Sequence, residues 1–380
     1  MKFEELSQVS SYVSERIRID EVNLDNYVST ENMISERGGV TKATKLPSGK
    51  TISVFQKGDI LISNIRPYFK KIWLADKSGG CSNDVLVVRA NEKISNRFLY
   101  YVLSSDNFFD YAVGTSKGTK MPRGDKKAIM KYKVPIYSLV EQEKIAEVLR
   151  AFDKKIILNK QINHHLEEIL QANLEKQLES ISIKSKIIDL NLTVSDHVAN
   201  GSFKSLKDNV KLVEKTDYAL FLRNIDLKNH LNGERRYVTE SSYEFLKKSR
   251  LYGHEVIISN VADVGSVHRV PKMNMPMVAG NNVVFLQSEN SLLTDYLYVY
   301  FNSRLGQHDI MSITSGSAQQ KFNKTDFRNL EIPILSDDII KKKMSSILHY
   351  MDNIHEEIAC LMKIRATLLP KLLSGEISVN

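Results

Sequence analysis

Apolar residues recur at Ile145, Leu149, Phe152, Ile156, Ile162, Leu166, Ile169, Leu174, Leu178 and Ile181, mostly in steps of three or four, and residues 141–181 contain neither Gly nor Pro. That spacing predicts one long helix with a coiled-coil seam. Its length of about 60 Å would exceed most single-domain cores. Asn159 and Asn163 put amides beside the seam, the kind of polar insertion that fixes register. The pattern returns at 338–374, where Ile340, Met344, Ile347, Met351, Ile354, Ile358, Leu361, Ile364, Leu368 and Leu372 step by three or four, with Pro370 in the last turn and Gly375 as a stop. Two helices with matching seams in one chain most simply pack against each other.

Ahead of each helix the pattern changes. Short β-rich runs bounded by Gly, Asn and Pro at 51–55, 59–65 and 85–89, and again at 218–223, 255–261 and 283–287, read as strands. One amphipathic helix is expected at 96–109 and another at 294–307. The runs also repeat. GDILISN (58–64) returns as GHEVIISN (253–260), CSNDVLVV (81–88) as AGNNVVFL (279–286), and FLYYVLSS (98–105) as YLYVYFNS (296–303). VGTSKGTK (113–120) is answered by ITSGSAQQK (313–321) and KVPI (133–136) by EIPI (331–334), at an offset that stays between about 195 and 201. The expected architecture is α+β twice over, with an internal pseudo-two-fold repeat: two globular modules joined by two long helices packed as an antiparallel coiled coil. Two like modules on a fixed spacer suit a target with two separated half-sites, and DNA is such a target.

Composition narrows the class. The 380 residues carry a net charge of +8 and 42% hydrophobic residues, enough for two or three cores. The hydrophobic runs in the strand regions, such as 85–88 and 283–286, span four residues, far below the roughly 20 needed to cross a bilayer. An N-terminus rich in acids rather than bases leads to the expectation of a cytoplasmic protein. Cys81 and Cys360 lie far apart without a CxxC, which speaks against a disulfide framework or a zinc ribbon. Divided along the repeat, the charge is +7 for 1–140 (22 basic against 15 acidic), −2 for 141–180, +3 for 181–335 and zero for 336–380. The surplus lies in the modules, as expected if modules touch phosphates while helices face proteins.

Two loops carry the candidate chemistry. Residues 63–71, including Asn64, Arg66, Tyr68, Phe69, Lys70 and Lys71, mix donors with aromatics after a strand. Residues 114–123 are Gly-rich and basic, with Lys117, Lys120 and Arg123, whereas the matching 314–321 offers Gln319, Gln320 and a single cation, Lys321. Arg and Lys pair with guanine and Gln with adenine, so the two modules are expected to read different sequences. Catalytic signatures are missing. No Pro-Pro dipeptide is available for an adenine methyltransferase motif, and 44–51 lacks the first Gly of a P-loop. Asp110 with Asp125-Lys126-Lys127 is a weak nuclease pattern, better read as a helix N-cap and a solvated charge pair. His164 and His165, adjacent on a helix, cannot both face one ligand.

At this point the sequence resembles the specificity subunit of type I restriction–modification enzymes. The resemblance rests on the order module–helix–module–helix, on LVEQEKIAEVLRAFDKKIILNKQINHHLEEI (139–169), on TSKGTKMPR (115–123) and on LLPKLLSGEI (368–377). It implies target recognition domains at 1–140 and 182–335, a spacer helix at 141–181 and a second helix at 336–380. In such a protein each domain reads half of a bipartite DNA site, while the helices set the spacer and dock two modification subunits. No cofactor is expected in this chain. S-adenosylmethionine, ATP and Mg²⁺ would belong to partner modification and restriction subunits. The DNA contacts this reading expects are Asn64, Arg66, Lys70, Lys71, Lys117, Lys120 and Arg123 in the first module, and Arg223, Asn224, Asn260, Arg269, Gln319, Gln320 and Lys321 in the second. The second helix departs from the first, with Ile339-Ile340 and Lys341-Lys342-Lys343 where the first opens Glu-Gln-Glu-Lys. A self-contained nuclease or methyltransferase, or a coiled-coil scaffold without a DNA role, are the competing readings.

Overall fold

A computed structural model describes residues 2–231, 233–316 and 319–379. The chain forms two compact units, Met1–Asn159 with Glu357–Asn380, and Lys160–Glu356. The repeat seen in the sequence is a repeat of topology. In the first unit an antiparallel sheet runs in the order Ser10–Tyr12, Val85–Ala90, Ile60–Ser63, Ile72–Leu74, and in the second unit Thr193–Asp196, Val283–Gln287, Val256–Ser259 and Val267–Arg269 follow the same order.

The central strands of both sheets are continuous apolar runs because both of their faces are covered. Ile60, Ile62, Leu86 and Val88 point into one core, while Leu61, Val85 and Val87 point into another. In the second unit Val256, Ile258, Val284 and Leu286 fill one side and Ile257, Val283 and Phe285 the other. One face of each sheet is closed by a second sheet. In the first unit that sheet is Arg16–Arg18, Thr51–Phe55, Gly79–Cys81 and Tyr27–Val28. In the second it has five strands, with Ala219–Leu222 parallel to Met277–Ala279.

Helices cover the other face, and here the expectation of one amphipathic helix per module is corrected. Each is a pair, Asn96–Leu103 with Asp106–Gly114, and Ser291–Asn302 with Arg304–Ser312. A serine makes the break. Ser105 Oγ accepts from the Phe108 N–H at 3.2 Å and Ser303 Oγ from the Gly306 N–H at 3.1 Å, so a side-chain cap starts a new helix where apolar periodicity alone reads on. Gly306 is required there, since a Cβ would lie 2.1 Å from the Tyr300 carbonyl oxygen.

The first long helix is Leu139–Leu178. Ser138 Oγ accepts from the Glu141 N–H at 3.3 Å and Glu141 returns a carboxylate to the Ser138 N–H at 3.1 Å, a reciprocal cap. At the C-terminus the expected single helix carries a π-helical stretch, Lys341–Ser345, between Asp337–Ile340 and Ser346–Ser374. It continues past Pro370 and stops at Gly375, whose φ is +72°. Within each unit the two long helices contact antiparallel. In the first, Asp153 pairs with Arg365 and Glu357 takes Lys155 at 3.4 Å and the Asn159 amide at 2.7 Å. In the second, the Asn173 amide donates to the Lys343 carbonyl at 3.1 Å. The helices also complete the module cores: Ile145, Leu149 and Leu372 join one, and Leu170, Leu174, Met344 and Met351 the other. Both cysteines are free. No helix among the described residues is long and apolar enough to cross a membrane.

Candidate nucleic-acid interface

In each module a central strand of its four-stranded sheet ends at a Ser-Asn pair that meets a glycine-tipped hairpin. Ile65 bridges Arg123 and Lys117 bridges Arg123 in the first module, and Val261 bridges Lys321 and Ser315 bridges Lys321 in the second. The hairpins turn at Gly118 (φ +95°) and Gly316 (φ +102°), left-handed positions that favour glycine. A Cβ at Gly316 would also fall 2.4 Å from the Gln319 carbonyl oxygen. Ser63 and Ser259 each donate a hydroxyl to the carbonyl two residues on, at 3.0 and 3.2 Å. The backbone of Asn64 donates to Asp84 at 2.8 Å and accepts from Gly124 at 3.0 Å, and Asn260 repeats this with Asn282 at 3.1 Å and Phe322 at 3.2 Å. Each hairpin is followed by a capped helical turn: Asp125 accepts from the Lys127 and Ala128 N–H groups at 2.9 and 3.1 Å, and Asn323 from Asp326 at 2.8 Å. The weak acid pattern at 125–127 is thus a cap.

The expected contacts divide by environment. Lys120 and Arg66 make no ion pair with a described residue, and Lys120 is exposed on the hairpin. Arg123 is exposed, with Asp84 at 3.1 Å. Lys117 is held by Asp125 at 2.7 Å, and that hydrogen bond, with the Ala128 N–H, brings the Asp125 carboxyl down to about 2. Gln319, Gln320 and Lys321 are exposed at the second hairpin, while Ser317 and Ala318 lie outside the described residues. Asn64 and Asn260 hold the frame rather than project from it. Both amide oxygens are buried without a partner among the described residues.

Lys70 and Lys71 reach back into the module, Lys70 to Asp106 at 2.7 Å and Lys71 to the Thr30 carbonyl at 2.7 Å. Arg223 forks onto the buried carboxylate of Asp226 at 2.9 and 2.7 Å. Asn224 and Lys228 both bond Asp263, at 3.1 Å each, which brings them to the turn beside the second hairpin. Arg269 lies elsewhere. It sits opposite Val256, at the end of its strand away from Asn260, with its side chain 9% exposed between Asp295 and Asp352, both at 3.0 Å. Three exposed apolar side chains were not among the expected contacts: Tyr68 (45%), Phe69 (38%) and Met121 (47%). The sequence signal for the first two was their place among the cations of the 63–71 loop. Among the described residues no group of three or more His, Cys, Asp or Glu is placed to hold a metal ion.

Comparisons with known proteins agree with this architecture. The family model for the type I restriction modification DNA specificity domain matches residues 19–168 and 180–360. The chain is 24% identical over 395 aligned residues to the type I restriction enzyme MjaIX specificity subunit of Methanocaldococcus jannaschii, across 94% of this chain and 86% of that one. It is 32% identical over 116 residues to the EcoDI specificity subunit of Escherichia coli, across 30% of this chain and 26% of that one. Its fold is similar to the crystal structure of the S subunit of a type I restriction-modification system from M. genitalium, with a TM-score of 0.55 and 16% identity over 98% of this chain and 95% of that one. The duplicated module with its paired hairpins belongs to the type I restriction–modification DNA specificity family, and the chain is a DNA-specificity subunit.

Proposed function

We propose that residues 1–140 and 182–335 each read one half of a bipartite DNA sequence, and that the helices at 141–181 and 336–380 set the distance between the halves and dock two modification subunits. The observation that carries this reading is the pair of hairpins. One backbone frame is built twice, with Lys117, Lys120 and Arg123 on the first copy and Gln319, Gln320 and Lys321 on the second. Identical frames with different edge chemistry suit two different base sequences read in the same manner. Phosphate contacts supply salt-dependent affinity and hairpin side chains supply selection.

Methyl transfer and cleavage fall to the partners in this reading. Modification subunits bring S-adenosylmethionine, restriction subunits bring ATP and Mg²⁺, and this chain places them on DNA without a cofactor of its own. Mapping methylated adenines across a genome, in cells carrying this chain and its modification subunits, is expected to give two short motifs separated by a fixed number of arbitrary bases. Exchanging the 117–123 hairpin for that of another specificity subunit changes one motif only. A single uninterrupted motif, or methylation or cleavage by the isolated chain, overturns the reading.

A further inference from the structure

The Pro67–Phe69 turn of the first module is held rigidly and yet exposes two aromatic rings. Arg66 (φ +50°) and Lys70 (φ +51°) flank it, both left-handed positions that side chains other than glycine adopt at an energetic cost. The turn is pinned from three sides. Phe69 and Lys70 donate to Arg66 and Pro67 within it, at 3.0 and 2.9 Å, and the Glu36 and Arg37 N–H groups bond the Phe69 and Lys70 carbonyls from behind, at 2.9 and 3.0 Å. Asp106 then locks Arg37 at 2.5 Å and Lys70 at 2.7 Å. In front, the Arg66 N–H donates to the Pro122 carbonyl at 2.8 Å, which joins the turn to the hairpin. Pro67 is buried; Tyr68 and Phe69 are not, and their rings stand 4.7 Å apart with Met121 exposed on the adjoining hairpin.

The second module lacks this feature. Its left-handed Ala262, whose N–H donates to Gln320, takes the place of Arg66. Asp263, Val264, Gly265 and Ser266 follow where the first module has Pro67 to Lys71. Asp263 ties that turn to Asn224 and Lys228, and Val264 packs on the core.

An apolar tip tied by its backbone to a hairpin that carries the exposed cations Lys120 and Arg123 fits a ligand that is flat and apolar within and anionic at its edge. Stacked base pairs between phosphate strands have that chemistry, and an aromatic ring reaches a base face in a duplex only by opening a step. We propose that Tyr68 and Phe69 form a wedge that partly unstacks one base step in the half-site read by the first module, while the second module reads an undeformed duplex. The step entered is a pyrimidine–purine step, the most easily opened kind. This inference rests on the reading of the hairpins as the DNA-facing edge.

The test uses the complete chain assembled with its modification subunits, on duplexes of the mapped recognition sequence with 2-aminopurine replacing each purine in turn. At the methylated adenine of each half-site the modification subunits flip the base and raise the fluorescence themselves; among the remaining purines a several-fold rise is expected at one step of the first module's half-site and none in the other half-site. Tyr68→Ala with Phe69→Ala removes that rise and weakens binding about tenfold, and placing an abasic site at the same step restores the affinity. Tyr68→Trp keeps a ring and reports directly, its emission quenched on specific DNA above the background of the buried Trp73. Tight sequence-specific binding with 2-aminopurine signals that are flat away from the methylated adenines, and with unquenched Tyr68→Trp emission, overturns the wedge while leaving DNA recognition standing. A double alanine chain that loses its modification subunits rather than DNA affinity also overturns it, and makes the tip a protein contact. Absence of salt-sensitive DNA binding by the parent assembly overturns the DNA reading itself, and the wedge with it.

Discussion

Among the cations of the first module, the partner decides the role more than the charge does. Lys70 and Lys71 spend their donors on Asp106 and the Thr30 carbonyl, and Lys117 on Asp125. Lys120 is exposed with no such partner among the described residues, and Arg123 shares its fork with a surface carboxylate, Asp84. An unpaired lysine gives up little when it moves onto a phosphate, so Lys120→Ala is expected to lower the salt slope of binding by about one and leave the recognised sequence unchanged. Arg123, on the paired strand of the hairpin, can present two parallel N–H donors to a guanine edge. Its alanine variant is expected to weaken binding by about 1–3 kcal/mol and to relax one position of one half-site. Salt titrations with each variant and a methylation map distinguish the two. A sequence change from Lys120→Ala, or none from Arg123→Ala, would reverse their roles. None of this was legible in the sequence, because the acids that claim Lys70 and Lys117 lie 36 and 8 residues away along the chain.

Arg269 shows the same lesson at the scale of elements. It ties the strand Val267–Arg269 to the helix Ser291–Asn302 through Asp295, which is 2% exposed, and to the long C-terminal helix through Asp352. Arg269→Leu would strand a buried carboxylate, so the second unit is expected to lose about 3 kcal/mol or more of stability. The recognised sequence should not change. Denaturant unfolding of the variant together with its methylation map checks both; unchanged stability with an altered half-site would make Arg269 a reader instead. The elements themselves were largely legible. Central strands announced themselves as apolar runs because both faces are buried, and the long helices as unbroken periods without Gly or Pro. The breaks at Ser104-Ser105 and Ser303 were not, since apolar spacing runs through them and only a hydroxyl reaching a backbone N–H three residues on makes the new start. The π-helical stretch at Lys341–Ser345 likewise leaves the apolar spacing of its helix intact.

At the scale of the whole molecule, the long helices are shared property. The first gives residues up to Asn159 to one compact unit and from Lys160 to the other, and the second changes hands between Glu356 and Glu357. Asn159 and Glu357, the first unit's boundary residues on the two helices, hydrogen-bond to each other at 2.7 Å. The proposal that the helices set the distance between the half-sites is testable without touching either module. Seven residues inserted at 159/160 and seven at 356/357 preserve the heptad seam on both helices and add about 10 Å of rise. That is roughly three base pairs along B-form DNA, at about 3.4 Å per step. The expected methylation map keeps both half-sites and widens the gap between them by about three bases. A four-residue insertion in the first helix alone adds about one turn, a stutter absorbed by local unwinding, and is expected to change the spacing by a smaller step. If the paired insertion gives a stable, methylating complex with its original spacing, the helices do not set the distance between the half-sites, and the gap must be measured by the modification subunits or by the DNA.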